Sequence, residues 1–486
     1  MNSQSIHFGT DGWRGLLHTE VNKESVALVA QAFSDYLNQK SPHETPSCAI
    51  GYDTRQYSQE FAGVFAEVLS GNGILAILSD RVIPTPVISF TVKHRGLLAG
   101  VMITASHNPP QYNGIKFKAS YGGPFFTEET QKVEALLGKS LISRTRDNLT
   151  LENLLPDYKE RLYQLIDFET IRNSGISCVV DSMHGAGGRL IKDLLEKNRC
   201  RVYSIADKYL PDFGGRSAEP IEKNLEPLKD FLRINSDVSV GLATDGDADR
   251  LGVLMDGGTW LSAQETILLF ADYLIDEKRR PGAIIKTSSV TDKLRILYES
   301  HTQPVYDVQV GFKYIAEKML EMPVVLGVEE SGGFGFGHHI PDRDGIFSAF
   351  LFLELLAASG YKKLSDLVRK FRIKHKILHY DRIDYTFDSP GRTKILTNLV
   401  KIGLKDINRL PVTGMNTFTG SRGTINGVKI RLEGDCRWLL LRSSETEPLI
   451  RIYAEGQTED EVRLFLNQGI VLIHTFSGDK NEEIHD

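Results

Sequence analysis

Ser106 stands in a stretch that could present a nucleophile: Val101-Met-Ile-Thr-Ala-Ser-His-Asn-Pro-Pro-Gln-Tyr-Asn-Gly-Ile-Lys-Phe-Lys118. The apolar run Leu97 to Ile103 and the return Gly114 to Phe117 read as two strands, so Thr104 to Asn113 must be a tight, exposed connection with Ser106 at its tip. Pro109 and Pro110 forbid helix after it, and Asn108, preceding a proline, is biased to an extended backbone. His107 and Lys116 bring proton-handling groups to the same turn. A hydroxyl held this way among basic neighbours could serve as a nucleophile or phosphate carrier, although the same residues could simply cap turns.

A second stretch, Thr244-Asp-Gly-Asp-Ala-Asp-Arg250, alternates carboxylates at Asp245, Asp247 and Asp249. In an extended loop all three point one way, and three like charges so close need a cation. Carboxylate oxygens indicate a hard ion, and three ligands from one loop leave positions for a phosphate oxygen, which suits Mg²⁺. An EF-hand does not fit. Its sixth position would be Arg250 where glycine is needed, and its twelfth would be Asp256 rather than glutamate. A third stretch, Arg442-Ser-Ser-Glu-Thr-Glu-Pro448, offers one guanidinium and the hydroxyls of Ser443, Ser444 and Thr446, a set suited to phosphate, with Arg451 following on the next strand. Asp53 and Arg55, at the end of a strand, are read as a local salt bridge. The glycine-rich turn Ser182 to Gly188 lacks dinucleotide or P-loop spacing and is read as structural.

These groups need a scaffold. A chain of 486 residues is too long for one core and long enough for three or four domains. No run approaches the ~18 apolar residues of a membrane span, and the start lacks a secretory signal pattern, so a cytoplasmic location without membrane contact is expected. Four scattered cysteines argue against a disulfide framework or zinc knuckle, and a net charge of −6 argues against sequence-independent nucleic-acid binding. Strands and helices alternate three times, as in mostly parallel sheets covered by helices. The polar stretch Gly138 to Asn153 reads as a domain linker. From about Lys374 the pattern changes to a smaller α+β domain, with a helix Thr393 to Ile402, strands at Gly427 to Arg431 and Trp438 to Leu441, and a final helix Glu459 to Ile473.

Thr104-Ala-Ser-His-Asn-Pro109 resembles the active-site serine signature of the α-D-phosphohexomutases, the phosphoglucomutase and phosphomannomutase superfamily, and motifs in that family's order run from residue 8 to 453. The resemblance implies three similar mixed-sheet α/β domains, at 1–150, 151–257 and 258–372, and a C-terminal α+β domain at 373–486, around a central cleft. It implies that Ser106 carries a phosphoryl group in the resting enzyme and joins the aspartates at Mg²⁺. Phe8-Gly-Thr-Asp-Gly-Trp-Arg-Gly15 resembles the N-terminal signature whose arginine, here Arg14, faces the active-site phosphate. Arg250 matches the arginine after the metal loop, and Lys313 a lysine near the sugar. Glu329-Glu-Ser-Gly-Gly333 resembles the sugar loop, with Glu329 and Ser331 on adjacent hydroxyls. Gly333 stands where some relatives have histidine. His338-His-Ile-Pro-Asp-Arg-Asp-Gly345, containing His339 and Arg343, resembles the end of the phosphoglucomutase-type loop, with Arg343 where lysine is common. Glu445 replaces the common glycine of the phosphate loop.

The implied reaction interconverts hexose 1-phosphate and hexose 6-phosphate through a bisphosphorylated sugar, with glucose 1,6-bisphosphate as activator. Lys116 is the favoured general base, with His107 and His339 as the other candidates. Glucose is favoured over mannose or dual specificity, and a monomer or homodimer is expected. Two further classes stay in view: a haloacid-dehalogenase-like phosphatase with Asp245 as nucleophile, and a non-catalytic sugar-phosphate-binding relative.

Overall fold

The alternation of apolar strands and amphipathic helices folds into layered α/β sheets. The computed structural model describes residues 6–9, 11–299, 303–376, 378–387, 392–420, 423–444 and 448–477. Two compact units emerge, residues 1–284 with 311–370, and residues 285–310 with 371–486.

In the first unit, β1 (Trp13–Leu16), β2 (Ser47–Tyr52), β3 (Leu75–Ser79), β4 (Ala99–Ile103), β5 (Tyr112–Ala119) and β6 (Leu149–Glu152) form a sheet in the order β1-β5-β4-β2-β3-β6. Strands β4, β2, β3 and β6 run parallel, whereas β5 returns antiparallel to β4. All of β4 is buried, which is why it reads as an unbroken apolar run rather than an alternation. The helix Lys23–Lys40 starts at a capping box between Asn22 and Ser25. Pro86 opens the helix Thr85–Arg95, and left-handed Gly96 closes it. The expected linker at 138–153 instead contains β6, whose four residues pair with β3 at the sheet edge. A Leu-Thr-Leu-Glu strand of four residues is too short for its alternation to stand out.

The second sheet takes β7 (Ser177–Asp181), β8 (Arg201–Ile205), β9 (Val240–Thr244), β10 (Leu251–Met255) and β11 (Trp260–Leu261) in the order β11-β10-β9-β7-β8. It too mixes parallel and antiparallel neighbours. Beyond β12 (Ala283–Thr287) and β13 (Val305–Val308), β14 (Val324–Val328) and β15 (Phe334–Phe336) pair antiparallel. The buried helix Gly345–Ala358 follows, N-capped by Asp344, whose side chain accepts from Phe347 N at 2.8 Å.

In the second unit β16 (His379–Thr386), β17 (Asp406–Ile407), β18 (Leu410–Thr419), β19 (Ile425–Leu432), β20 (Trp438–Ser443) and β21 (Leu449–Gly456) form an antiparallel sheet ordered β16-β21-β20-β19-β18-β17. The helices Arg392–Ile402 and Glu459–Ser477 share a core with it through Leu399, Leu439, Ile452 and Phe465.

A buried ionic network lies within this unit. Lys286 Nζ contacts Asp292 at 2.9 Å and Asp307 at 2.8 Å, while Lys429 Nζ donates to Asp292 at 2.8 Å and sits 4.0 Å from the centre of the Trp438 ring. Burial and the neighbouring Lys286 push the Lys429 ammonium down to about 8 despite the two aspartates. A folded-state value below that of the unfolded chain means that this group's contribution to stability increases from about pH 8 towards the ordinary lysine value. Trp438 fluorescence is therefore expected to titrate with a midpoint near 8. The Lys429→Met protein should lose that transition, and a flat wild-type profile between pH 7 and 9 would refute the assignment.

Candidate active site

Two loops of the first unit meet at Ser106. The connection between β4 and β5 carries it, and the connection between β9 and β10 carries the three aspartates. Ser106 Oγ donates to Asp245 Oδ2 at 3.0 Å, and His107 Nδ1 lies 3.4 Å from the same hydroxyl. The close approach requires Gly246, where a Cβ would fall 2.5 Å from the Ser106 carbonyl oxygen.

The loop is not the exposed turn the sequence predicts. Ser106 is only 1% exposed, because the aspartate loop closes over it. Its φ of 52° lies in the left-handed region that serine rarely adopts. Such a conformation persists where the surroundings over-determine it. Arg55 supplies most of that constraint. Its guanidinium donates to the carbonyls of Ser106 (2.7 Å), Asn108 (2.6 Å), Pro109 (2.8 Å) and Tyr112 (2.9 Å), and lies 4.8 Å from the centre of the Phe213 ring. Asp53 holds Arg55 at 3.2 Å and accepts from Thr104 Oγ1 at 2.6 Å, while the same Thr104 hydroxyl accepts from Ser106 N at 2.9 Å. The Asp53–Arg55 salt bridge expected from the sequence exists, but it works as the clamp of the serine loop. Arg55→Met is expected to lower kcat by roughly 10–100-fold with a much smaller change in KM, the cost of misplacing a reacting atom by about 1 Å. Equal loss in both parameters, or none, would remove Arg55 from that role.

The ligand oxygens of Asp245, Asp247 and Asp249 all lie within 4.8 Å of one another and are buried. Thr85 Oγ1 donates to Asp247 Oδ2 at 2.6 Å, and the backbone N–H groups of Asp249 and Arg250 donate to Asp245 Oδ1 at 2.9 and 3.0 Å. Burial and the two neighbouring carboxylates push Asp245 well above the ordinary range. Asp247 Oδ1 and Asp249 Oδ1 are buried without a hydrogen-bond partner. Orphaned anionic oxygens converging on one point fit a hard divalent cation such as Mg²⁺.

Positive charge surrounds these carboxylates. Lys116 Nζ lies 2.8 Å from Asp247, 2.9 Å from Asp249 and 3.0 Å from Asp11. Burial pulls its ammonium down, but Asp11, Asp247 and Asp249 outweigh burial and hold it above the ordinary lysine value. Three ion pairs favour the charged ammonium of Lys116. His107, by contrast, is kept neutral by burial and by Arg250, Arg14 and Lys116. Arg14 Nη1 donates to Asn108 Oδ1 at 2.7 Å, and Arg250 Nη1 reaches Glu219 at 3.4 Å.

The segment 329–333 adjoins this centre. Leu251 N donates to the Gly332 carbonyl at 2.9 Å, and Arg250 bridges Gly333. Arg343 donates to Asp249 Oδ2 at 2.8 Å, to Glu329 Oε2 at 3.2 Å and to Asp11. A Cβ on Gly333 would fall 2.5 Å from Arg343 Cδ, so the arginine occupies the space that a side chain at 333 would need. Burial raises the Glu329 carboxyl, and Ser331 lies half-buried in the same turn. Lys313 Nζ donates to Thr127 Oγ1 at 2.7 Å, one residue beyond Phe312, whose ring centre lies 5.7 Å from the Arg343 guanidinium. His339 is buried, pairs with Asp344 at 2.8 Å and stacks on Phe347, which ties this segment to the start of the helix that Asp344 caps.

In the second unit Arg442 and Arg451 are directly paired across β20 and β21, which puts both on one face of the sheet. Ser443 ends β20, and Ser444 N donates to the Leu449 carbonyl at 3.0 Å. Thr446 and Glu445 lie outside the described residues.

Sequence reasoning did not find Asp11, Thr85, Arg55 as a clamp, or the buried pair of Lys118 with Asp342 at 2.5 Å. For Lys118 a signal existed. It sits two residues after Lys116 on β5, and so points to the same face.

Four phosphoglucomutase/phosphomannomutase domain models match in order: alpha/beta/alpha domain I at residues 5–141, domain II at 156–258, domain III at 262–373, and the C-terminal domain at 399–468. A phosphoglucomutase/phosphomannomutase of Thermococcus kodakarensis is 29% identical over 470 residues, 96% of this chain and 98% of the relative. A phosphoglucosamine/phosphogalactosamine mutase of Sulfurisphaera tokodaii is 28% identical over 477 residues, 95% of this chain and 97% of the relative. The crystal structure of a candidate phosphomannomutase from Thermus thermophilus superposes with a TM-score of 0.83 at 32% identity, covering 96% of this chain and 99% of that one. The chain belongs to the α-D-phosphohexomutase superfamily, the four-domain phosphoglucomutase/phosphomannomutase enzymes. It is an intramolecular phosphotransferase, which sets aside both the haloacid-dehalogenase-like phosphatase and the non-catalytic relative. No helix among the described residues is long and apolar enough to cross a membrane.

Proposed function

We propose that the enzyme interconverts the 1- and 6-phosphates of an aldohexose, with glucose phosphate as the preferred substrate, through phosphorylated Ser106. The observation that carries this reading is the Ser106 hydroxyl, 3.0 Å from Asp245 and 3.4 Å from His107 Nδ1, at the edge of a buried triad of carboxylates whose Asp247 and Asp249 pair with Lys116. The sugar hydroxyl attacks the phosphoryl group, its O–P bond forms as the P–Oγ bond breaks, and the hydroxyl proton passes to His107. Ser106 Oγ leaves as an oxyanion at a site to which Lys116, paired with Asp247 and Asp249, contributes positive charge. The resulting sugar bisphosphate turns over and returns its other phosphoryl group to Ser106.

Asp245, Asp247 and Asp249, with an oxygen at Ser106, are the proposed Mg²⁺ ligands. Bound there, the ion supplies Lewis-acid polarisation of the phosphoryl oxygens. Arg14 and Arg250 face the reacting phosphate, Arg343 orients Glu329, and Glu329, Ser331 and Lys313 bind sugar hydroxyls. Arg442, Ser443, Ser444, Thr446 and Arg451 bind a phosphate. Glucose 1,6-bisphosphate is the proposed activator, since it can phosphorylate Ser106.

Glu329 and Ser331 read hydroxyls that glucose and mannose share, so selection at C2 is weak. The test is kcat/KM for glucose 1-phosphate, mannose 1-phosphate and glucosamine 1-phosphate with Mg²⁺ and catalytic bisphosphate. Glucose is expected to exceed mannose by less than about tenfold, or ~1.4 kcal/mol. Turnover of glucosamine 1-phosphate alone would overturn the substrate assignment while leaving the phosphoserine chemistry intact.

A further inference from the structure

Beside segment 337–341, which leads into Arg343, two cavities of about 430 and 530 Å³ meet at Lys93, Gly337 and His338. Volumes in this range suit small organic ligands. The smaller cavity is walled by Met319, Met322 and Val324, with Arg280 at its polar side, and Arg161 lines the larger one. Two acids line the larger cavity, and one of them, Asp157, is engaged with Arg95 at 3.2 Å.

Lys93 stands where the cavities meet, with Arg280 lining the smaller and Arg161 the larger. His338 Nε2 is buried without a hydrogen-bond partner. Burial, Arg280, His339 and Arg161 push the His338 imidazole down to about 3, and burial and Arg161 push Lys93 down. No carboxylate is among the groups acting on either residue. In a chain of net charge −6, such a concave patch concentrates anions.

The structure assigns a second ligand site here, for an organic phosphate monoester. Its phosphate would sit between Lys93, Arg280 and His338 Nε2, with its apolar body against Met319, Met322 and Val324. The site is wired to the catalytic segment. Lys93 Nζ donates to the His339 carbonyl at 3.1 Å, and Arg161 Nη2 to the His338 carbonyl at 2.8 Å. An anion that draws Lys93 away from the His339 carbonyl loosens a backbone that four residues later carries Arg343. Occupancy lowers turnover without competing with sugar phosphate. The binding claim stands on the cavities alone, and only this kinetic consequence rests on the mutase reading.

Phenyl phosphate and inorganic phosphate, titrated calorimetrically into the full chain, share the charge and differ in the apolar body. Phenyl phosphate should bind at least about tenfold more tightly. Lys93→Met and Arg280→Met should each weaken it by about tenfold or more, as should Met322→Trp, which fills the smaller cavity and leaves every charge in place. Arg343→Met should still bind it. In assays phenyl phosphate should lower kcat with KM unchanged, and Arg280→Met should be insensitive. Equal affinities for the two phosphates, binding unaffected by all three cavity variants, or purely competitive inhibition would overturn the site.

Discussion

Ser106→Ala is expected to lower mutase turnover by roughly 10⁴-fold or more while leaving the fold intact, because it deletes the atom proposed to accept and return the phosphoryl group. A loss of that size is about 5.5 kcal/mol of barrier. Packing changes cannot supply it, since removing one buried hydroxyl leaves Asp245 Oδ2 without a single hydrogen bond, an effect of only about 1–3 kcal/mol on stability. Incubation of wild-type protein with labelled glucose 1,6-bisphosphate should give acid-stable label on Ser106 and none in the variant. Acid-labile label that persists in Ser106→Ala would move the nucleophile to a carboxylate. Asp245 is poorly placed for that, since Oδ1 already accepts from two backbone N–H groups and Oδ2 from Ser106.

Lys116→Met is expected to cost about 3–5 kcal/mol of stability in EDTA, the penalty for breaking a buried ion pair by removing one partner. The ammonium is what neutralises Asp11, Asp247 and Asp249, and Arg343 alone cannot replace it at all three. Excess Mg²⁺ should recover about 2.7 kcal/mol at a hundredfold excess over its Kd, and should shift the variant at least as much as the wild type. Lys116 outweighs burial at Asp247 and depresses that carboxyl, so the stability it contributes is present above the ordinary carboxylate range and is lost as pH falls below it. The gap between variant and wild type should therefore close in acid. Equal midpoints in EDTA at neutral pH, followed by a signal of the first unit, would show that Lys116 does not carry this load.

The site was legible in the sequence wherever chemistry is packed into a few consecutive residues. Ser106 with His107, and the three aspartates whose ligand oxygens lie within 4.8 Å of one another, are local constellations that the fold keeps together. What could not be read are pairings set by topology alone. Arg55 reaches the Ser106 carbonyl across 51 residues, Thr85 reaches Asp247 across 162, and Ser89 reaches Asp342 across 253. The partners of Lys116 and His339 were hidden for the same reason. A lysine and a histidine near a motif look like proton carriers, and the motif does not name their partners, Asp247 with Asp249 and Asp344 with Phe347. In the second unit β16 and β18 escaped detection because their residues are mostly half-buried or exposed and carry no sustained apolar alternation.

The crowding between Gly333 and Arg343 constrains how this enzyme can change over generations. Any side chain at 333 meets the arginine stem at once, so a first mutation there is penalised, whereas shortening residue 343 beforehand opens the space. The two positions form an ordered pair in sequence space. A library that varies 333 alone should return almost only glycine, and one that varies both should return combinations that neither single library contains.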